Sequence, residues 1–419
     1  MGLVWCMAGV LAATVGQAPR ASVVWAADPL EVVAAFDRAL DPKTPGSLVG
    51  QFITYDDGEK QAKARARKLR IAAARLEDDG RTLILVTDPH PRRAFYRLPI
   101  PGAGGYTLRG VQADWSEPDD PPESPRWSLW WPRLEFEDVL QAVKGSRRHA
   151  GLRARLAKPG RLVLSALVTI PGGRATLHLE TTGDLEDALL GDAQAEPTQN
   201  AKTPRHGVDL AVDSHGEPLY VSITIRTGVD KAPFDLHATV TREGEAGARP
   251  LLADQLLLPW APSPVPASAV AAPPPLLGGG DAERGRKLFF GEKARCSQCH
   301  SHGGKGGAVG PDLTRPLVLD RAWIYQSIAT PSAQIEPEFT TYTVALKDGQ
   351  VYSGVVRAID AVTIQVVDAN ARPAAIRRDQ ILRLQPSATS IMPVGLAAAL
   401  GEPAVRDLIA FLMGSATIP

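Results

Sequence analysis

The sequence predicts a multidomain chain, all-β up to about residue 262 and helical at both ends of its last third. Three observations predict this. Short apolar runs separated by Gly-containing turns recur from residue 28 to Pro262, the pattern of half-buried strands. Residues 261–280 (APSPVPASAVAAPPPLLGGG) hold six prolines and three glycines, which favour an extended linker ending in a swivel. Beyond it, Asp281 can cap a helix through Glu283 to Phe290, and Glu402-Pro403 opens another with proline at its first position.

Composition narrows the function classes. The chain has 419 residues, 44% hydrophobic and 22% charged, a globular balance with room for several cores. The 36 prolines and 38 glycines, with only 6% aromatics, fit turn-rich β modules. Lys+Arg and Asp+Glu number 46 each, which excludes a general nucleic-acid or anionic-membrane binder. Three cysteines exclude a disulfide scaffold, and no apolar run reaches the roughly 20 residues that span a bilayer.

Taken in order, Leu3–Val15 (LVWCMAGVLAATV) has the length of a signal-peptide core and includes Cys6. Val24 and Ala26 suit a cleavage site, so residues 1–27 read as a signal peptide and the chain as periplasmic or otherwise extracytoplasmic. Residues 28–116 form a first β module, in which Leu69–Ala73 and Thr82–Val86 flank the turn Asp78-Asp79-Gly80. The run Lys60–Arg70 holds six cations without interleaved aromatics and reads as a solvated face. An acidic, Pro-rich joint at 114–126 leads into residues 117–262. That stretch has a helical piece near Phe136–Val143 and strands at Arg161–Ile170, Ala175–Thr181, Val208–Val212, Tyr220–Thr227 and Phe234–Thr241, the pattern of a sandwich. Residues 263–280 are linker. Within 281–419, Asp320 can cap a helix bearing Trp323, Ile324 and Ile328, and residues 340–385 alternate like strands. Val405, Leu408, Ile409 and Leu412 stripe the last helix.

The chemistry is carried by Cys296-Ser297-Gln298-Cys299-His300, the c-type haem attachment signature. Two thiols three residues apart can each bond one porphyrin vinyl group, and the next residue, His300, is then held under the iron. A redox dithiol needs no following histidine. A zinc site needs further ligands, and His302 is the only other histidine nearby. A thioether sixth ligand would give a low-spin carrier of raised potential. Downstream of the signal segment the methionines are Met392, in the Pro/Gly loop Ser390–Leu396, and Met413, at the end of the last helix. The glycines of 303–310 lack the Lys-Ser/Thr ending of a phosphate loop and read as backbone packed near the haem. His-Glu-x-x-His and Gly-x-Ser-x-Gly are absent, and the remaining histidines show no ligand spacing.

Several segments together resemble a known family. Gly285–Phe289, Cys296–His300, Val309–Leu313, Ala329–Ala333, Lys347-Asp348-Gly349 and Ser390–Leu396 resemble the planctomycete/Verrucomicrobium-type haem-binding domain. The resemblance covers about a third of the chain. It implies a mainly α, class I cytochrome c-like domain over 281–419, with a β-rich insertion at about 338–386. It also implies thioethers at Cys296 and Cys299, His300 proximal, Met392 distal, and a Pro311 carbonyl on the proximal imidazole. More weakly, residues 28–116 resemble an immunoglobulin-like domain, and 125–262 a protective-antigen-like β-sandwich of a type that often binds carbohydrate. Longer relatives carry a β-propeller dehydrogenase, which this chain lacks.

The functional expectation is an exported monohaem c-type cytochrome holding one covalent haem c, an electron-transfer protein rather than a catalyst. Its expected partner is an exported dehydrogenase or a terminal acceptor, with carbohydrate a further ligand for the β modules. The alternatives are a haem enzyme or gas sensor with a displaceable sixth ligand, and a carbohydrate- or surface-binding protein with an accessory haem.

Overall fold

The computed structural model describes residues 18–56, 67–91, 94–120, 125–143, 149, 151–199, 205–229, 232–245, 247–252, 255–259, 278–314, 321–333 and 335–414. The apolar stretch Leu3–Val15 with Cys6, linker residues 260–277, Asp320 and the first part of the basic run lie outside the described residues.

The first module is one sheet. Its strands follow the order Ala21–Asp28, Glu31–Phe36, Thr82–Thr87, Arg67–Leu76, Phe52–Asp56, Phe95–Arg97 and Gly105–Tyr106. Register shifts at Ala26/Asp28 and Ile71/Ala73 are bulges that tighten the twist. The sheet curls until its ends meet, where the Ala21 N–H donates to the Gly102 carbonyl at 3.2 Å. This differs from the two packed sheets that an immunoglobulin-like reading expects. Thr82–Thr87 (TLILVT) is buried at every position because three cores share it. Leu83 and Leu85 face the module's own core, Ile84 joins the core of the next module, and Val86 packs with Ala72 and Ala358. A strand covered on both faces reads as a continuous apolar run rather than an alternation.

Two boundaries move from their sequence positions. Ala21–Asp28 pairs along Glu31–Phe36, and Trp25, Ala26 and Ala27 are buried. A cut at Ala26–Ala27 would therefore strip most of a core strand. Val111–Ser116 pairs with both Gly160–Thr169 and Trp127–Trp131, so the second module begins near residue 110. The acidic stretch after it joins two paired strands in sequence.

The second module is a sandwich. One sheet runs Ala193–Gln194, Asp184–Leu190, Pro218–Thr227, Gly160–Thr169, Val111–Ser116, Trp127–Trp131, and the other runs Thr198–Gln199, His206–Ser214, Gly173–Thr181, Leu236–Arg242, Arg249–Pro250. Gly160–Thr169 alternates strictly, with Leu162, Leu164, Ala166 and Val168 turned into the core against Leu177, Leu179 and Val240.

The last third is not a mainly helical domain, which corrects the fold class expected from the sequence. The structure as a whole is mostly strand, and no large, mainly α domain occurs among the described residues. The helices Ala282–Phe290, Arg321–Ala329, Leu396–Leu400 and Glu402–Gly414 frame a small core around Phe289, Ile324, Ile328, Leu408 and Leu412. Between them lies a five-stranded antiparallel sheet in the order Pro373–Arg377, Thr363–Val367, Val351–Ala358, Thr341–Leu346, Ile381–Pro386. The helix-period stretches are real but short, and the strands of this sheet hold nearly as many residues as the four helices around it.

The sheet is docked on the first module. Leu30 belongs to its core, Tyr342 donates to the Pro89 carbonyl at 3.4 Å, and Asp88 accepts from the Ala358 N–H at 2.8 Å. Arg378, only 8% exposed, lies 3.5 Å from the Glu31 carboxylate and 3.7 Å from that of Asp28, both buried. A linker capable of swivelling is thus bypassed by direct contact between the units it joins.

Candidate functional site

The site is built on the helical frame. Asp281 caps Ala282–Phe290 by accepting from the Arg284 N–H at 2.8 Å, as its side chain and position require. This helix lies against Glu402–Gly414 so closely that a Cβ on Gly285 would fall 1.9 Å from the Asp407 carbonyl oxygen. Only glycine permits that approach. Asp407 locks the contact by accepting from the Asp281 N–H at 2.7 Å and from the Arg284 guanidinium at 2.8 and 3.0 Å. Phe289 packs on Phe411 with ring centroids 5.6 Å apart.

The chain then turns through Arg295, which sits at φ 53, into a 3-10 turn at Cys296–Gln298. The Cys296 carbonyl accepts from both the Cys299 N–H at 3.2 Å and the His300 N–H at 2.9 Å. This one turn gathers the two thiols and the imidazole. The glycine loop folds back under it. The Gly310 N–H donates to the Cys299 carbonyl at 2.8 Å, and a Cβ on Gly310 would meet the His300 ring at 2.6 Å. The loop is therefore a backbone cradle for the imidazole, with no phosphate-binding geometry.

His300 Nδ1 is 3.0 Å from the Pro311 carbonyl. A carbonyl can only accept, so Nδ1 carries the proton and Nε2 presents its lone pair. Burial lowers the His300 pKa, outweighing the Pro311 carbonyl, and keeps the ring in the neutral form that ligates iron. Burial pushes the Cys296 thiol up to about 11 and also raises Cys299, with Asp368 adding to the effect. Such thiols are protonated at neutral pH. They lack the thiolate character of an activated redox dithiol.

Met392 and Cys296 both pack against the cluster formed by Phe289, Ile324 and Leu408. Ser332 Oγ accepts from the Ser390 N–H at 3.0 Å, and Ser390 Oγ from the Met392 N–H at 3.1 Å, so the methionine loop is pinned to the frame. Gly395, at φ 77, turns the chain into Leu396–Leu400. Met413 packs on the same cluster, so neighbourhood alone does not separate the two thioethers. Their backbones do, because Met413 is inside a hydrogen-bonded helix while Met392 is on a loop. The donor set fits a covalent haem: two neutral thiols on one turn, an imidazole with one nitrogen committed and the other free, and a loop thioether on the same apolar cluster.

Sequence reasoning missed three contributors. Asp368 belongs to the inserted sheet, yet its charge is felt at Cys299. Ser332 is the anchor of the methionine loop, and Asp407 is the lock between the helices. Ser332 lies in the matching segment Ala329–Ala333, but its anchoring role, like the parts of Asp368 and Asp407, leaves no local signal, since each acts across at least 58 residues.

Comparison with known proteins adds little. No family model matches the chain, and neither does any curated protein. Among solved structures, an anti-sigma factor domain-containing protein is similar with a TM-score of 0.27 and 9% identity, over 54% of this chain and 84% of that one. The PA14 domain of the antifreeze protein MpAFP is similar with a TM-score of 0.24 and 9% identity, over 38% and 94% respectively. Likenesses at this level carry no argument about fold or activity.

Proposed function

We propose that the chain is an exported monohaem c-type cytochrome that carries electrons, with the haem joined to Cys296 and Cys299 and ligated by His300 and Met392. One observation carries the reading: the attachment pentapeptide forms a single turn whose histidine has Nδ1 committed to the Pro311 carbonyl and Nε2 free. When bound, the haem supplies a one-electron ferric/ferrous couple. The protein's part is to hold that couple rigid and dry. The Pro311 carbonyl orients the imidazole and raises its basicity as a ligand. The Gly310 cradle stops the ring from rotating, and Ser332 and Ser390 fix the loop that offers the Met392 sulfur. Ile324, Leu408 and Leu412 exclude water from the cluster on which Met392 packs.

Export follows from the apolar start and from attachment chemistry performed outside the cytoplasm. The pairing of Ala21–Asp28, with Trp25–Asp28 buried, favours cleavage upstream of Ala21. No helix among the described residues is long and apolar enough to cross a membrane. The electron partner is a redox protein such as an exported dehydrogenase or a terminal acceptor. The zero net charge argues against nucleic acid.

The test is expression with a c-type cytochrome maturation system. Haem should stay with the polypeptide on a denaturing gel, and the oxidised protein should show the weak thioether band near the red edge of its spectrum. Met392→Ala should keep the covalent haem, lose that band, turn high-spin and bind carbon monoxide. Met413→Ala should leave the spectrum intact. Loss of the band in Met413→Ala alone would reverse the ligand assignment. Its absence from the wild-type protein would favour the sensor or enzyme reading.

A further inference from the structure

The inserted sheet and the sandwich meet edge to edge. Trp127–Trp131 ends one sandwich sheet, and Ile381–Pro386 ends the five-stranded sheet. Between these edges, with the helix Leu152–Leu156 alongside, lies a cleft of about 290 Å³. Its lining is chemically one-sided. Arg126, Arg155, Lys347, Arg378 and Trp127 are donors without acceptor atoms, and Asp379 is the one acid among the lining residues. Asp379 is already gripped by Arg377 at 2.7 and 3.1 Å. Arg126 is paired with Asp120 at 2.7 Å and with Glu117 at 3.2 Å. Arg155 and Lys347 make no ion pair within 4.0 Å among the described residues, and the Lys347 charge reaches Asp379 only at longer range.

Two buried donors on the same cleft also lack partners there. The Trp127 indole Nε1 has no hydrogen-bond acceptor among the described residues, and neither has Nε of Arg378, more than nine-tenths buried. A buried donor left without an acceptor keeps its desolvation cost uncompensated. Arg378 is committed to Asp28 and Glu31 and Arg126 to Asp120 and Glu117, so the charge the cleft offers a ligand is that of Arg155 and Lys347, the complement of an oxyanion. Leu129, Ile381 and Leu382 give it an apolar wall as well, which an inorganic anion would leave uncovered. Clefts between modules are common ligand sites, and this volume suits one small molecule.

We infer that this cleft binds an organic carboxylate, its charged end on Arg155 and Lys347 and its carbon body against Trp127, Leu129 and Ile381. The source is either a compact acyclic acid or the ring of a uronic acid at the end of a polysaccharide. The inference does not depend on the haem.

Calorimetric titration of the full-length protein at low salt tests it, with citrate, digalacturonate and inorganic sulfate as probes. Citrate or digalacturonate, or both, should bind at least about tenfold more tightly than sulfate, and the preferred one names the source. Arg155→Gln combined with Lys347→Gln should weaken that binding by about tenfold or more, the value of one charged hydrogen bond. Asp379→Asn should tighten it. Unchanged melting temperatures would show that the variants remain folded. No heat with either organic acid at millimolar concentration overturns the inference. So does sulfate binding equally well, or a double variant that binds like the parent.

Discussion

The helical frame around Cys296–His300 and the five-stranded sheet inserted into it are held by opposite kinds of contact. The frame is closed by backbone: Gly285 against the Asp407 carbonyl, Gly310 under the imidazole, the Cys296 carbonyl accepting two N–H groups. The sheet is held by side chains from other modules: Leu30 in its core, Asp28 and Glu31 around Arg378, Asp114 3.4 Å from Arg383. A cofactor site needs sub-ångström placement, which close backbone contact supplies. A docking face needs specificity between surfaces, which paired charges supply. The difference teaches that one continuous stretch of sequence can serve two masters, its ends building a site and its middle fixing where that site sits.

The sharpest way to break this comparison is at the frame. A Cβ at position 285 would sit 1.9 Å from a carbonyl oxygen, so Gly285→Val should force the two helices apart and cost several kcal/mol. Hydrogen exchange should then show helices Ala282–Phe290 and Glu402–Gly414 unprotected while strands of the sandwich stay protected. Uniform loss of protection everywhere would mean that frame and modules fold as one unit.

The reciprocal change is at the dock. Arg378→Met leaves Asp28 and Glu31 buried without their cation, which costs about 3–5 kcal/mol when one partner of a buried pair is removed. Limited proteolysis should find the sheet released, and the absorption spectrum of the attached haem should be unchanged. A spectral shift of the size seen in Met392→Ala would show that docking also shapes the site. The same view bears on residues 281–419 prepared alone. They should keep the haem spectrum but lose protection in Thr341–Leu346, whose neighbours in the first module are gone.

A smaller effect belongs to the foundation of the dock. His90 is fully buried beneath Pro89, with Nδ1 donating to the Pro29 carbonyl at 2.9 Å and Nε2 accepting from the Tyr106 hydroxyl at 2.7 Å. Burial holds its pKa at about 4, below the ordinary 6.5. Between those values the unfolded chain takes up a proton that the folded chain refuses. The stability from His90 is thus whole above pH 6.5 and drains away as the pH falls toward 4, by up to about 3 kcal/mol. Denaturant titrations across that window should show the slope in the parent and a shallower one in His90→Gln. Equal slopes would remove His90 as the source of acid sensitivity.

Much of this was legible in the chain itself. The strands Gly160–Thr169 and Pro218–Thr227, the turn at Gly80, the cap at Asp281, the helix start at Glu402-Pro403 and the attachment turn all answer to patterns within a dozen residues. Periodicity failed where two faces were covered, as in Thr82–Thr87, and where length decided class. The helix-period stretches of the last third match a mainly α domain by resemblance, but the strands between them fold into a sheet of their own. Ala26–Ala27 looks like a cleavage site by residue size, and only the pairing of Trp25 with Val33 and Ala26 with Val32 shows it to lie in a core strand.

Local chemistry is written in short stretches of chain: which thiols share a turn with which histidine, which loop carries a methionine, where the chain caps and bends. These depend on neighbours along the backbone, whose reach is fixed by covalent geometry. Tertiary structure alone decided what acts across distance. Arg378 finds Asp28 and Glu31, Asp407 bridges Asp281 and Arg284, and Trp127 faces Lys347 across a cleft. Such pairings lie far apart in the chain and leave no periodic trace, because a single charge or carbonyl signals nothing until folding supplies its partner.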